Sequence, residues 1–303
     1  MPSVKIETIS YGGWNNCVSI SNGISDLIIT TDIGPRIIRY GFCHRENELC
    51  EIPLDMGCTG GDEWRIYGGH RLWHSPEDAH RTYEPDNFPV KWQPLENGIR
   101  TIQNMEQRTS IIKEMDISLA TEGSEVTVVH RLKNSGTWPV KLSVWALSAM
   151  AAGGLEVIPQ ATDDTGLLPN RTLALWPYTR LNDPRLVFGE KYILVRQDPS
   201  MKNPLKLGIS NNMGWAAYFN NNHLFLKKYK HQMDEEYPDF GVSYETYTSD
   251  FMLEMESLSP KTTLQPGESA SHTEHWTLFD NVVMPGEDET KISNLLKSLT
   301  GLQ

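Results

Sequence analysis

Ser124-Glu125-Val126-Thr127-Val128-Val129-His130-Arg131-Leu132 (SEVTVVHRL) is the stretch that decides the fold. Val126, Val128, His130 and Leu132 fall on one face at a period of two. The β-branched content favours strand over helix, and the alternation is typical of antiparallel sheet.

The pattern recurs on both sides. SDLIITT (25–31) and RIIRYGF (36–42) read as a hairpin around Asp32-Ile33-Gly34-Pro35, whose Gly-Pro pair is a turn signal. GIRTIQNM (98–105), TSIIKEMDISLA (109–120) and VKLSVWALSAM (140–150) follow as short runs between Gly, Ser, Asn and Pro clusters. Strand signals return in LKLGISN (205–211), GVSYETYTS (241–249) and FMLEMESLS (251–259), with Asn220-Asn221-Asn222 as a hairpin turn between AAYF and HLFLKKY. TTLQPGESASHTEHWTLF (262–279) reads strand, Pro-Gly turn, strand. Between 153 and 204, Gly153-Gly154 and repeated prolines predict long loops with no regular element, and loops of that length are usually functional. Only Ile292, Leu295, Leu296 and Leu299 repeat at helical spacing, behind the acidic Glu287-Asp288-Glu289. The expectation is an all-β fold, two large antiparallel sheets packed face to face with a short C-terminal helix, as one domain over residues 1–303.

Composition narrows the partners. A chain of 303 residues with 39% hydrophobic and 22% charged residues has ample core and no apolar run long enough to span a bilayer. A net charge of −12 disfavours nucleic acid and anionic membranes. The first residues carry no basic-then-apolar signal, and Cys17, Cys43, Cys50 and Cys58 form no C-x-x-C pair, so reduced thiols and a cytoplasmic location are expected.

WRIYGGHRLWHSPEDAHRTYEPDN (64–87) has the composition of a binding surface and not of a core segment, with His70, His74, His80, Arg65, Arg71, Arg81, Trp64 and Trp73 interleaved with acids, tyrosines and prolines. His70 and His74 make an HxxxH pair, but without the adjoining glutamate of the metalloprotease pattern and outside a convincing helix. Proton carriage suits these histidines better, so no metal and no cofactor is expected. On a strand, Glu254 and Glu256 of FMLEMESLSP share a face, and two neighbouring carboxylates raise the proton affinity of one of them. Both are equally well read as a solvated face. Arg36 follows a tight turn and offers a fork for a hydroxyl or carboxylate, or a surface salt bridge. His130, His272 and His275 read as packing or surface positions, and Asn170-Arg171-Thr172 is a glycosylation sequon without a secretory context.

IGPRIIRYG (33–41), YGGHRLWHSPE (67–77), TWPVKLSVWALSAMAAGG (137–154), YPDFGVSYETYT (237–248) and the segment from Leu253 to Phe279 together make the chain resemble the galactose mutarotase-like superfamily, which includes the aldose 1-epimerases, and within it the DUF4380-type branch. The resemblance covers most of the chain. It implies a β-supersandwich with a saccharide site in the concave face of the larger sheet, where a carboxylate removes the anomeric proton and a histidine protonates the ring oxygen. By position the carboxylate falls on Glu254, the sugar-contacting arginine on Arg36, and the histidine beside a Gly-Gly on His70 or His74. The family's protonating histidine would fall near Trp145, and no histidine occurs between His130 and His223.

The leading expectation is therefore an epimerase-like site, with Glu254 as base, His74 or His70 as acid, and Arg36, Arg71, Trp64, Trp73, Glu77 and His80 holding a small saccharide. One alternative is a saccharide-binding protein without catalysis. Another is a lyase or hydrolase on an acidic saccharide, with Arg36, Arg65, Arg71 and Arg81 neutralising a uronate.

Overall fold

The computed structural model describes residues 3–302, and almost every regular element in it is a strand. The larger sheet has eleven strands, ordered β1 (Lys5–Tyr11), β2 (Trp14–Ser21), β3 (Ser25–Thr30), β4 (Arg36–Phe42), β5 (His70–Ser75), β10 (Val140–Met150), β19 (Leu253–Leu258), β18 (Tyr244–Thr248), β15 (Leu205–Ile209) and β12 (Leu173–Leu175), with β20 (Thr262–Leu264) beside β10. The ten-stranded sheet runs β13 (Leu186–Phe188), β14 (Tyr192–Arg196), β11 (Leu155–Pro159), β16 (Trp215–Asn220), β17 (His223–Tyr229), β21 (Ser269–Phe279), β9 (Val126–Asn134), β8 (Ile111–Leu119), β7 (Gly98–Ile102) and β6 (Lys91–Leu95). Neighbouring strands pair antiparallel, as in the central β5–β10–β19 trio. The all-β, two-sheet architecture expected from the alternating runs is the one observed.

The core lies between the sheets. Leu72, Val144, Leu253, Met255 and Leu207 face it from the larger sheet, while Met115, Val128, Leu132, Phe225 and Trp276 face it from the other. Val128, His130 and Leu132 do share the inward face, because a strand turns alternate side chains to opposite sides. The outer face of the smaller sheet is covered by α1 (Glu289–Thr300), which presses Ile292 and Leu296 onto Leu155, Leu194 and Phe219. Asp288 caps that helix by accepting from the Thr290 and Lys291 amides. The helix is twelve residues long, and no helix of the described residues is long and apolar enough to cross a membrane.

Two expectations need correction. Residues 153–204 are not loop throughout: β11, β12, β13 and β14 lie there, in runs of three to five residues. Apolar runs that short carry no decisive period, so the glycines and prolines around them dominate the reading. The aromatic and histidine stretch is also not excluded from the core. Its first part becomes β5, a central strand with every residue buried. The Asn-rich turn does form as expected: Asn221 and Asn222 take φ of 53° and 59°, the left-handed pair of a tight hairpin.

Candidate functional site

Strand register places the chemistry. On the larger sheet Arg71 pairs with Leu147, Leu147 with Glu256, and Glu256 with Glu245. One row along, Trp73 pairs with Trp145. On the other side, Ala149 pairs with Glu254, Glu254 with Tyr247, and Tyr247 with Lys206. Period-two alternation sends all of these to the face turned away from the second sheet. That outer face therefore carries two arginine- or lysine-type cations, three glutamates and an aromatic cluster in five adjacent strands.

β5 is delivered to the sheet by Gly68-Gly69, where any side chain is forbidden: a Cβ on Gly68 would stand 2.1 Å from the Cys50 carbonyl oxygen and one on Gly69 2.3 Å from that of Ile37. Both residues have positive φ, 91° and 71°.

Loops close over this face and leave a cavity of about 250 Å³ lined by residues including Arg71, Trp73, Trp145, Lys206, Tyr247 and Glu254. Tyr83 packs edge to face on Trp64 and Trp73, which are tilted against each other, with centroids 5.2 to 5.6 Å apart. The Arg71 guanidinium lies 4.3 Å from the Trp73 ring centre and forms an ion pair with Glu254, Nη1 to Oε1 2.7 Å. Glu77 and Tyr178 complete the rim, and the Tyr83 hydroxyl donates to Glu77 at 2.5 Å.

Beneath Trp145 the Lys206 ammonium lies 2.8 Å from Glu245 and 3.0 Å from Glu256, with Trp145 at 4.6 Å and Trp176 at 4.8 Å on its flanks. The Trp145 indole donates to Glu256 at 2.9 Å. Burial works against the lysine's charge, but the two carboxylates outweigh it and hold its proton well above the ordinary value. Burial raises both carboxyls, each further lifted by a neighbouring glutamate and held back by Lys206. The sheet-side effect expected for Glu254 and Glu256 thus appears on Glu256.

The expected acids are placed elsewhere. His70 and His74 alternate to the inner face of β5, opposite Arg71 and Trp73. His70 is fully buried between the sheets, with Nδ1 2.8 Å from Ser148 Oγ and Nε2 2.6 Å from His130 Nε2. His74 Nε2 lies 3.6 Å from Glu106, a buried carboxylate that Lys113 holds at 2.6 Å. Neither histidine lines the cleft, so neither serves as its acid; a spacing of four on a strand puts both on one face, here the wrong one. His80 is exposed and outside the cavity lining. Arg36 is also corrected: it is fully buried, donates to the carbonyls of Ile66 and Gly68 at 3.0 and 2.7 Å, and pairs with Asp86 at 2.8 Å. It staples the segment 66–86 in place and does not line the cleft. Arg65 donates to the Gly60 carbonyl, and exposed Arg81 stands 3.7 Å from Asp78, so the arginines do not converge.

His70, His130 and Glu274 bring ligand-type atoms within 4.8 Å of one another. Hydrogen bonds already fill that cluster: the His130 Nδ1 meets the His272 carbonyl at 3.0 Å, and Glu274 accepts from Trp276 at 2.8 Å and from Lys227 at 2.9 Å. The HxxxH pair contributes only His70 to it.

Lys206, Tyr247, Tyr83 and Tyr178 are cleft residues that the sequence reading passed over, and Glu245, buried against Lys206, was passed over with them. Lys206 in LKLGI and Glu245 with Tyr247 in YETYT are polar positions alternating with buried ones, and that period was available. Tyr178 comes from the 153–204 region.

No sequence-family model and no curated protein matches this chain. Among solved structures it is similar to a TPR-domain containing protein from Parabacteroides distasonis (TM-score 0.59, 14% identity, 90% of this chain), of which it spans about half, 48%. It is similar to a galactose mutarotase-like protein from Lactobacillus casei (TM-score 0.56, 12% identity, 87% of this chain and 100% of that one). It is likewise similar to a galactose mutarotase-like protein from Clostridium acetobutylicum (TM-score 0.54, 11% identity, 92% and 99%). Identities this low speak to architecture alone: the fold of this chain is the galactose mutarotase-like β-sandwich.

Proposed function

We propose that this chain is a carbohydrate-active protein whose outer-face cleft seats one saccharide ring against Trp64 and Trp73 and uses Glu254 to accept a hydroxyl proton, in an aldose 1-epimerase-like reaction. Residues 1–303 act as one unit in this reading. The observation that carries it is the position of Glu254: a carboxylate in the cavity lining, oriented by Arg71 at 2.7 Å beside an aromatic wall. Aromatic faces suit the apolar face of a sugar ring, and a fixed carboxylate suits its hydroxyls. The mutarotase-like names of proteins with this fold point the same way.

Charge selects among saccharides. Arg71 and Lys206 face Glu77, Glu254, Glu245 and Glu256, so the cleft favours a neutral sugar over a uronate. A second reading, saccharide binding without turnover, is favoured by one observation: no residue lining the cavity is a histidine. Quenching of tryptophan fluorescence by D-galactose, D-glucose and D-galacturonate tests the ligand class. Saturable quenching by a neutral sugar, weakened in Trp64→Ala, is expected; tighter binding of galacturonate would contradict it.

A further inference from the structure

We propose that Lys206 is the proton donor of this cleft, delivering to the ring oxygen the proton that a histidine would otherwise supply. The inference rests on the reading of Glu254 as base. Three observations carry it.

The first is placement. Lys206 and Glu254 belong to one cross-sheet row with Tyr247 between them, and both line the same cavity. Two strand spacings of about 4.8 Å separate their backbones by roughly 10 Å, and a ring seated in the cavity above Tyr247 meets both side chains. The second is occupancy. An ammonium has three donors; Glu256 accepts one at 3.0 Å, and Glu245 stands 2.8 Å away as an ion-pair partner, so a donor is left for a ligand. The third is support. Trp145 stands where a histidine acid is expected from the resemblance, and here it flanks the lysine and donates to Glu256, so it positions the group that replaces it.

The proton inventory closes without another reactant. Glu254 removes the proton from the anomeric hydroxyl, the oxygen's electron pair forms the C1 carbonyl, and the C1–O5 bond breaks with its pair moving to O5. Lys206 gives O5 a proton and becomes a neutral amine between Glu245 and Glu256. On reclosure from either face, O5 returns that proton to Lys206 and Glu254 returns its own to O1. An alkoxide is far more basic than an amine, so the transfer runs downhill even from a lysine whose proton is held firmly. The neutral amine stays between Glu245 and Glu256 until reclosure returns its proton.

The test compares wild type, Glu254→Gln, Lys206→Arg, Lys206→Met and Lys206→Met/Glu245→Gln by saturation-transfer NMR of D-galactose and D-glucose anomer exchange, with binding of the same sugars measured by calorimetry. The double variant removes one charge of each sign, so it keeps the site balanced if Lys206→Met alone fails to fold. Sugar affinity within about threefold of wild type, with exchange slowed by about a hundredfold or more, is expected for a lost general acid, with no rescue by Lys206→Arg, whose guanidinium keeps the charge but does not release its proton. Three results would overturn the proposal: exchange near the wild-type rate in the double variant while Glu254→Gln is inactive, equal loss of binding and exchange, or no exchange by wild type. The first removes Lys206 and leaves Glu254 standing as base. Wild-type speed in Glu254→Gln instead removes the reading on which the inference rests.

Discussion

Arg71 on β5 reaches across β10 to Glu254 on β19, Nη1 to Oε1 2.7 Å, over the small side chain of Ala149. Both side chains are more than nine-tenths buried, so removing one leaves the other's charge without its partner. Arg71→Leu or Glu254→Leu alone is expected to cost about 3–5 kcal/mol, the range for orphaning one partner of a buried pair. The double variant is expected to cost much less than the sum, because no uncompensated charge remains. Urea unfolding of the full cycle measures this coupling.

The aromatic wall separates stability from binding. Trp73 is 5% exposed and touches Trp64, Tyr83, Trp145 and Arg71, whereas Trp64 is only half-buried at the cavity lining. Trp73→Ala is expected to destabilise by about 3–5 kcal/mol, as for a truncated core aromatic. Trp64→Ala should cost less in thermal unfolding and more in saccharide affinity. Equal losses of stability in the two variants would contradict this division.

Glu156, fully buried between the sheets, accepts from the Tyr244 hydroxyl at 2.5 Å. Burial pushes its carboxyl up from 4.5 to about 8. Between those values the folded chain keeps a proton that the unfolded chain releases. This group's contribution to stability is therefore fully present below 4.5, declines by up to about 1.4 kcal/mol per pH unit, and is lost as pH rises through 8. Glu156→Gln is expected to flatten the fall in melting temperature between pH 6 and 9; an unchanged slope would contradict the assignment.

The inter-sheet histidines act in the opposite direction. Burial depresses His70, His130 and His272, the last to about 3. Below about 6.5 the unfolded chain takes up protons that the folded network refuses, so stability falls as pH falls through that window, by up to about 1.4 kcal/mol per unit for each histidine. Proton uptake on urea unfolding at pH 5, reduced in His272→Gln, is the expected signature.

The fold was legible because it rests on a local period. Val126 to Leu132 alternates as an inward and outward face must, and the Asn221–Asn222 turn announces its left-handed backbone. Part of the site was legible too: Arg71, Trp64, Trp73 and Glu77 meet Glu254 in one cavity, although Glu254 lies far from them in the chain. The histidines were not, because composition cannot tell which face of β5 looks outward. Arg71 and His70 are neighbours in sequence and lie on opposite sides of a sheet. Arg36 misled for a related reason, since an arginine fork that holds two carbonyls and Asp86 has the same sequence signature as one that holds a sugar. Lys206 was hidden by its strand, a single charge among buried leucines whose partners Glu245 and Glu256 arrive only through cross-strand register.

The most direct test of the central claim is the anomer exchange rate of D-galactose and D-glucose at neutral pH, in saturation-transfer NMR, for wild type beside Glu254→Gln. The amide keeps the shape of the side chain and removes the base. Acceleration by wild type that falls by about a hundredfold or more in Glu254→Gln is the predicted result. A variant as fast as wild type, or a wild type that accelerates neither sugar, would contradict it.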